Sequence, residues 1–90
     1  MTQALFPLGQ VAVTANAARK LGLQEVWAVL RRHQTGDWGE LVAEDTQSND
    51  RALKTGGRLF SAYRSGDGVK FWVITEWDRS LTTVLLPEDY

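Results

Sequence analysis

The pattern of apolar and polar residues in the first third of the chain predicts a short strand followed by two helices. Apolar and polar positions alternate between Phe6 and Thr14, as they do in a strand. Thr14 is a suitable N-cap for an alanine-rich helix that runs to Leu21 and ends at Gly22. A second helix is predicted from Leu23 to His33, because four apolar residues share one helical face: Leu23, Val26, Trp27 and Leu30.

The apolar face of the second helix should pack on the core, and this places Trp27 in the interior. At the end of the same helix, His33 follows Arg31 and Arg32. Cations in a last helical turn are stabilised by the helix dipole, so we expect that role for His33. General-base catalysis by His33 is the less favoured alternative.

A third helix is predicted from Trp38 to Lys54, with a stop at Gly56-Gly57. If this helix begins nearer Ala43, Trp38 belongs to the preceding loop instead. The polar residues Asp45 and Asn49 lie on its otherwise apolar face, one turn apart. They indicate a small binding site between helix and sheet or, as the favoured alternative, side chains that hydrogen-bond to a strand or cap a turn.

The last third of the chain changes to a two-residue alternation and predicts three strands. They begin at Leu59, at Val69 and at Leu81, with turns at 65–68 and 77–80 and a stop at Pro87. The order predicts one α+β domain over residues 1–90 with two layers. In it, an N-terminal strand and two to three helices pack on a C-terminal three-stranded antiparallel meander. Alternation does not decide whether the set containing Phe71 or the set containing Lys70, Trp72 and Glu76 faces the helices.

Composition excludes several classes of site. The chain has no cysteine and a single histidine, so it has no disulfide, thiolate nucleophile or paired-histidine metal site. The formal net charge is −1, which makes a nucleic-acid partner an unfavoured expectation. The longest apolar runs are far shorter than the ~20 residues that span a bilayer, and no signal-peptide pattern precedes them. We therefore expect a cytoplasmic protein without a membrane segment.

Two groups of polar side chains are candidates for chemistry. The segment from Ile74 to Thr83 combines Glu76, Asp78 and Arg79 with several hydroxyls, which could bind a phosphate or a metal ion. Local turn hydrogen bonds and a surface ion pair are the favoured alternative there. A second group could hold a hydrolytic metal ion or simply stabilise the start of a helix: Asp37, Glu40, Glu44 and Asp45.

Four tryptophans are a high number for ninety residues. With Trp27 assigned to the core, Trp38, Trp72 and Trp77 cannot all be buried in so small a domain. Exposed tryptophans are typical anchors of protein–protein interfaces, so they indicate a protein partner. Unpaired strand edges would also allow a homodimer. No cofactor is expected, because the glycine pairs lack the strand-to-helix setting of a phosphate loop.

Several strings of the sequence together resemble a family of small bacterial proteins found on plasmids and other mobile elements. The strings are Gly36-Asp37-Trp38-Gly39, Trp72-Val73-Ile74-Thr75-Glu76, Asp78-Arg79-Ser80 and Leu85-Leu86-Pro87-Glu88-Asp89-Tyr90. Members of that family are labelled plasmid-related or restriction-enzyme subunit. The resemblance implies a mobile-element setting and no reaction, since ninety residues are too few for a methyltransferase subunit.

The predicted topology is also similar to that of RelE/ParE-type toxins, which cleave mRNA or poison gyrase. The resemblance implies a toxin site at basic and aromatic positions of the last third of the chain. These are Arg58, Tyr63, Arg64, Lys70 and Arg79. The sequence departs from that pattern in its charge, because its pI of about 5.7 lacks the basic excess that binds phosphates.

The leading functional hypothesis is therefore a small non-enzymatic protein-interaction module of a bacterial mobile element, with interference with a host defence system as one purpose. A toxin-like ribonuclease or gyrase poison, or an inactive relative, is the alternative hypothesis. No catalytic or metal-binding residue is assigned. The candidate binding residues are Trp38, Asp45, Asn49, Tyr63, Trp72, Glu76, Asp78 and Arg79.

Overall fold

The structure, a computed structural model, describes residues 3–90 and confirms the α+β class. Its helices and strands follow one another in the predicted order. Their bounds are β1 (Gln10–Val13), α1 (Ala15–Lys20), α2 (Leu23–Gln34), α3 (Ala43–Thr55), β2 (Leu59–Arg64), β3 (Lys70–Thr75) and β4 (Leu81–Leu85). A short 3-10 turn, Pro87–Asp89, follows β4.

The four strands form one mixed sheet in the order β1-β4-β3-β2. The antiparallel meander of β2, β3 and β4 agrees with the prediction. β1 adds to the meander as a fourth strand, parallel to β4, from the pair Gln10 and Leu81 to the pair Val13 and Val84. A parallel pair needs a long crossover, and the three helices together with β2 and β3 supply it between β1 and β4.

The segments that follow the neighbouring strands β1 and β4 are joined through α1 and the 3-10 turn. Thr14 caps α1 as predicted, with its hydroxyl accepting from the Ala17 N–H at 3.2 Å. The same hydroxyl donates to Asp89 at 2.6 Å, and the Asn16 amide donates to the other carboxylate oxygen at 2.7 Å. These bonds favour the charged carboxylate, so they hold the pKa of Asp89 below its ordinary value.

The buried face of α2 is not the predicted one. Trp27 is 60% exposed and Leu23 is 73% exposed, so the prediction of Trp27 as a core residue is wrong. The face that packs on the sheet consists of Val26, Val29, Leu30 and His33. This face repeats at the same helical spacing but includes a polar residue, which a count of apolar positions cannot select.

The helix α3 starts at Ala43, so the later of the two predicted starts is confirmed. Trp38 lies in the preceding loop and is nevertheless buried, in a small cluster with Phe6, Ala52 and Leu59. Its ring centroid lies 6.3 Å from that of Phe6. This cluster attaches the chain before β1 and the loop before α3 to α3 itself and to the start of β2.

The helices cover one face of the sheet. The alternate residues Tyr63, Phe71, Val73 and Val84 join the main core with side chains of α1 and α2. Because neighbouring side chains in a strand point to opposite faces, Trp72 and its alternate neighbours lie on the other face, away from α1 and α2. We call this the open sheet face.

A chain of polar side chains crosses the interior beneath α2. His33 Nδ1 lies 2.5 Å from Ser61 Oγ, and His33 Nε2 lies 2.9 Å from Thr75 Oγ1. Thr75 and Thr82 share a hydroxyl hydrogen bond of 2.7 Å, and Thr82 donates to the Leu8 carbonyl at 2.7 Å. The expected helix-dipole role of His33 is therefore wrong. His33 is fully buried, and its ring bridges α2 to two strands.

The outer edge of β2 is occupied by other parts of the chain. Asn49 of α3 donates to the Phe60 carbonyl at 2.6 Å and accepts from the Phe60 N–H at 3.1 Å. The Ala62 N–H donates to the Trp38 carbonyl at 3.1 Å, and the Glu40 N–H donates to the Ala62 carbonyl at 2.7 Å. These four bonds take up groups that an added strand would need, so a homodimer through this stretch of β2 is disfavoured.

Gly39 allows the loop before α3 to lie close to the main chain of β2. Its φ is 77°, a conformation that glycine adopts without steric cost. A Cβ at this position would lie 2.0 Å from the Ala62 carbonyl oxygen. The glycine of the Gly36-Asp37-Trp38-Gly39 string therefore serves the contact between this loop and β2.

We expect Asn49→Ala to lower the free energy of unfolding by about 2 kcal/mol, because the N–H and C=O of Phe60 lose their partner in a partly buried place. Urea unfolding monitored by circular dichroism measures the change. Asp45→Ala, one turn earlier and exposed, is the matched control and should stay within about 0.5 kcal/mol of the wild type. Equal stability of the two variants would contradict the edge-pairing role of Asn49.

Candidate functional site

Two of the predicted site residues, Trp38 and Tyr63, lie in the interior. The Tyr63 hydroxyl donates to the Asp37 carbonyl at 2.6 Å, and burial raises the pKa of this phenol to about 12. The Trp38 ring meets the His33 ring edge-to-face at 5.6 Å. Neither side chain is available to a partner at the surface, since both are at least nine-tenths buried.

The polar pair on α3 is separated by the fold. Asp45 is exposed, whereas Asn49 is buried and hydrogen-bonded to the main chain of β2. The alternative that such a side chain bonds to a strand is therefore confirmed for Asn49. No shared site between these two residues is formed.

Arg79 acts within the fold. Its guanidinium donates to the carbonyls of Ala52 at 3.0 Å, of Glu76 and Trp77 at 3.2 Å each, and of Gly57. Its backbone has a φ of 61°, unusual for a residue with a side chain. The arginine thus ties the C-terminal end of α3 to the turn between β3 and β4.

Asp78 makes the local bonds expected of a turn residue. Its carboxylate accepts from the Ser80 N–H at 3.1 Å and from the Ser80 hydroxyl at 2.6 Å. These bonds stabilise the charged form and lower the pKa of the Asp78 carboxyl. The turn alternative is therefore confirmed for Asp78, whose neighbour Trp77 is exposed to solvent.

Two of the four acidic residues around Trp38 are engaged in ion pairs. Asp37 lies 2.7 Å from Arg32, whose hydrogen bond lowers the pKa of the carboxyl, and Glu40 lies 3.4 Å from Arg64. Within residues 3–90, no three histidine, aspartate or glutamate side chains converge as metal ligands would. The geometry therefore gives the metal-hydrolase hypothesis no site in the described chain.

The open sheet face carries a concave group of apolar and aromatic side chains. Its volume is about 280 Å³, and its lining consists of Arg58, Phe60, Trp72, Ile74 and Tyr90. We call these five residues the aromatic pocket. The ring of Trp72 meets Phe60 at 5.2 Å and Tyr90 at 5.8 Å, both edge-to-face. Rings in this arrangement form walls of a pocket rather than a flat platform.

Arg58 closes one end of the aromatic pocket. It donates to the Tyr90 hydroxyl at 2.9 Å, and its guanidinium carbon lies 5.9 Å from the centre of that ring. Its Nε also lies 3.4 Å from Glu76, a predicted site residue. The arginine therefore holds Tyr90 beside Trp72, and Glu76 sets the position of the arginine.

Two cations lie at the other end of the same face. Arg64 and Lys70 are directly opposite each other on β2 and β3, and both are exposed. Like charges at opposed positions repel, so this pair weakens the sheet slightly. Arg64 is paired with Glu40, but among residues 3–90 no salt bridge involves Lys70.

Of the eight candidate binding residues, Trp72 and Glu76 lie on or beside this surface, and the other six do not. Phe60, Ile74 and Tyr90 were not predicted as site residues, and Arg58, Arg64 and Lys70 were predicted only through the toxin resemblance. The missed signal is the register of two alternating segments: Arg58, Phe60, Ala62 and Arg64 against Lys70, Trp72, Ile74 and Glu76. Without the pairing of β2 with β3, that register is not visible.

A second apolar depression, of about 190 Å³, lies between β1 and the start of α2. Aliphatic side chains line it, among them Val13 and Leu23, and Trp27 lies exposed on the same helix. It has no charged residue in its lining. Exposed aliphatic residues are common on protein surfaces. This depression is therefore weaker evidence for a binding site than the aromatic pocket is.

Comparison of the chain with protein-family models, with curated proteins and with solved structures found no match. Both resemblances noted in the sequence therefore stay predictions. Among the described residues, no helix has the length and apolar character that crossing a bilayer requires.

Proposed function

We propose that the protein is a non-enzymatic binding module that holds a partner protein through the aromatic pocket. The observation that carries this proposal is the position of the pocket on the sheet face away from α1 and α2, with Ile74 buried at its base and Trp72 partly exposed. All three helices lie on the other side or edge of the sheet, while Phe60, Trp72 and Tyr90 meet on the open face. Aromatic side chains with an adjacent arginine are the residue types that dominate binding energy at interfaces.

The side chains with catalytic chemistry support a non-enzymatic role. His33 is buried with both ring nitrogens hydrogen-bonded, and Tyr63 donates to a main-chain carbonyl. Arg79, a toxin candidate like Tyr63, is bound to carbonyls of its own chain. Of the remaining toxin candidates, Arg58 is bonded to Tyr90 and Glu76, and Arg64 to Glu40, so two of the three basic side chains are already paired within the chain.

We propose that the protein is encoded by a mobile element and acts in the bacterial cytoplasm. Its proposed partner is a component of a host defence system. The support for this setting is the sequence resemblance described above. The binding role rests on the aromatic pocket and does not depend on this setting.

Affinity purification tests the proposed function. We expect tagged protein to recover a stoichiometric partner, and Trp72→Ala to weaken that complex at least tenfold, because a buried tryptophan anchor contributes about 2 kcal/mol or more. Trp27→Ala removes an exposed tryptophan from the opposite layer and is the matched control. Quantitative mass spectrometry of the eluates gives the ratio.

Two results would contradict the proposal. One is a partner retained by Trp72→Ala and lost by Trp27→Ala, which would move the interface to α2. The other is growth arrest on induction with ribosomes or mRNA in the eluate, which would favour the toxin alternative.

A further inference from the structure

The size of the aromatic pocket fits one large side chain. Its volume of about 280 Å³ is at the small end of the ~300–1,000 Å³ of ordinary small-molecule pockets. Its walls are ring faces and edges plus Ile74, with the guanidinium of Arg58 at one end. Such a lining suits a leucine, phenylalanine or tryptophan side chain inserted from a partner chain.

Charge on the open sheet face extends beyond the pocket. Lys70 precedes Trp72 by two residues on the same strand, so the two side chains are about 7 Å apart on one face. Arg64 is directly opposite Lys70. A carboxylate placed between them would relieve their repulsion and give Lys70 an ion-pair partner. The face is therefore complementary to an apolar residue with an acidic residue near it.

A peptide fits this face better than a nucleic-acid strand. Bases stack on flat aromatic platforms, whereas Phe60 and Tyr90 stand at 77° and 72° to the ring of Trp72. The carboxylates of Glu76 and Glu40 already pair with two of the cations, so this face lacks the run of free positive charge that a phosphate backbone needs. One unpaired lysine suits one carboxylate rather than a polyanion.

The bound segment would contact side chains rather than extend the sheet. Asn49 and the loop around Gly39 already occupy the outer edge of β2 at Phe60 and Ala62. A partner at the pocket therefore lies across the strands, and its side chains supply both affinity and specificity.

We propose, on the basis of the proposed function, that the partner segment is an acidic peptide with one large apolar anchor. The anchor enters the aromatic pocket. An aspartate or glutamate two to four residues away in the peptide reaches Lys70 and Arg64.

Selection from a displayed library of random dodecapeptides tests this proposal. We expect enriched peptides to share an aromatic residue or leucine with an acidic residue nearby, and to bind Lys70→Glu about three- to tenfold more weakly in fluorescence anisotropy titrations. A new selection on Lys70→Glu should replace the acidic residue by lysine or arginine. Lys54→Glu, an exposed lysine of α3, is the control of equal charge and should leave affinity unchanged.

The possible results distinguish a failure of the acidic-peptide proposal from a failure of the proposed binding function. Peptides that need Trp72 but show no acidic preference would overturn the acidic-peptide proposal and leave the binding module intact. A stronger complex with oligo-dT or oligo-U, weakened by Lys70→Glu, would replace the peptide by single-stranded nucleic acid. A homodimer in light scattering that dissociates in Trp72→Ala would identify a second copy as the occupant and overturn the proposal as well.

Discussion

Arg79→Ala is expected to lower the free energy of unfolding by about 3 kcal/mol, because hydrogen bonds from a charged donor contribute more than neutral ones. The variant leaves several carbonyl oxygens without this donor, among them those of Ala52 and Gly57. It also separates the end of α3 from the turn that follows β3. Since domains of this size are stable by only about 5–15 kcal/mol, the loss is a large share of the total. Urea unfolding at neutral pH measures it.

Two further substitutions at position 79 separate the side-chain bonds from the backbone. Arg79→Lys keeps the charge but has one compact donor group in place of the planar fork, so we expect it to recover less than half of the loss. Arg79→Gly should be about 1 kcal/mol more stable than Arg79→Ala, because glycine adopts the φ of 61° without steric cost. Wild-type stability of Arg79→Ala would show that the carbonyl contacts contribute nothing.

Stability is also expected to fall by about 3 kcal/mol between pH 6.5 and pH 4, through His33. Burial, with a smaller effect of the nearby Arg79 charge, lowers the pKa of His33 from 6.5 to about 4 in the folded chain. Below pH 6.5 the unfolded chain therefore binds a proton that the folded chain does not bind. The stability that comes from keeping His33 neutral is complete above pH 6.5. As the pH falls from 6.5 to 4 it decreases by about 1.4 kcal/mol per pH unit, and below pH 4 the decrease levels off.

The His33→Gln variant tests the assignment of this pH dependence. The carboxyls with lowered pKa values, Asp37, Asp78 and Asp89, have an ordinary value of 3.8, so their effect is confined to more acidic solution. Urea unfolding between about pH 7.5 and pH 5 consequently isolates the histidine. We expect a slope in the wild type and a flat profile in His33→Gln, whatever its absolute stability. A flat wild-type profile would contradict a neutral buried His33.

The strands and turns of the last third were predictable from sequence because local chemistry determines them. Alternation marked β2, β3 and β4, and glycines with Asp67 marked the turn between the first two. The capping of α1 by Thr14 was equally local. The parallel addition of β1 was not predictable, because it depends on a pairing between segments at opposite ends of the chain.

The errors in the helices and the site have one physical origin. Periodicity treats polar residues as exterior, but the interior here uses His33, Ser61 and Thr75, which satisfy one another's hydrogen bonds. Counting His33 as exterior turned the predicted face of α2 towards Trp27. In the same way, Arg79 and Asp78 suggested a binding turn, whereas their partners lie within the fold.

The parallel pairing of β1 with β4 also determines when the sheet can be completed during translation. β1 leaves the ribosome before its neighbour in the sheet, β4, and three helices and the hairpin of β2 and β3 are made between them. Until β4 emerges, Val11 and Val13 have no strand to pair with, and Thr14 and Asn16 lack the carboxylate of Asp89. The hairpin of β2 and β3 is local and can form first. The nascent chain therefore carries an unpaired amino-terminal strand, and the sheet is completed only after translation has passed β4.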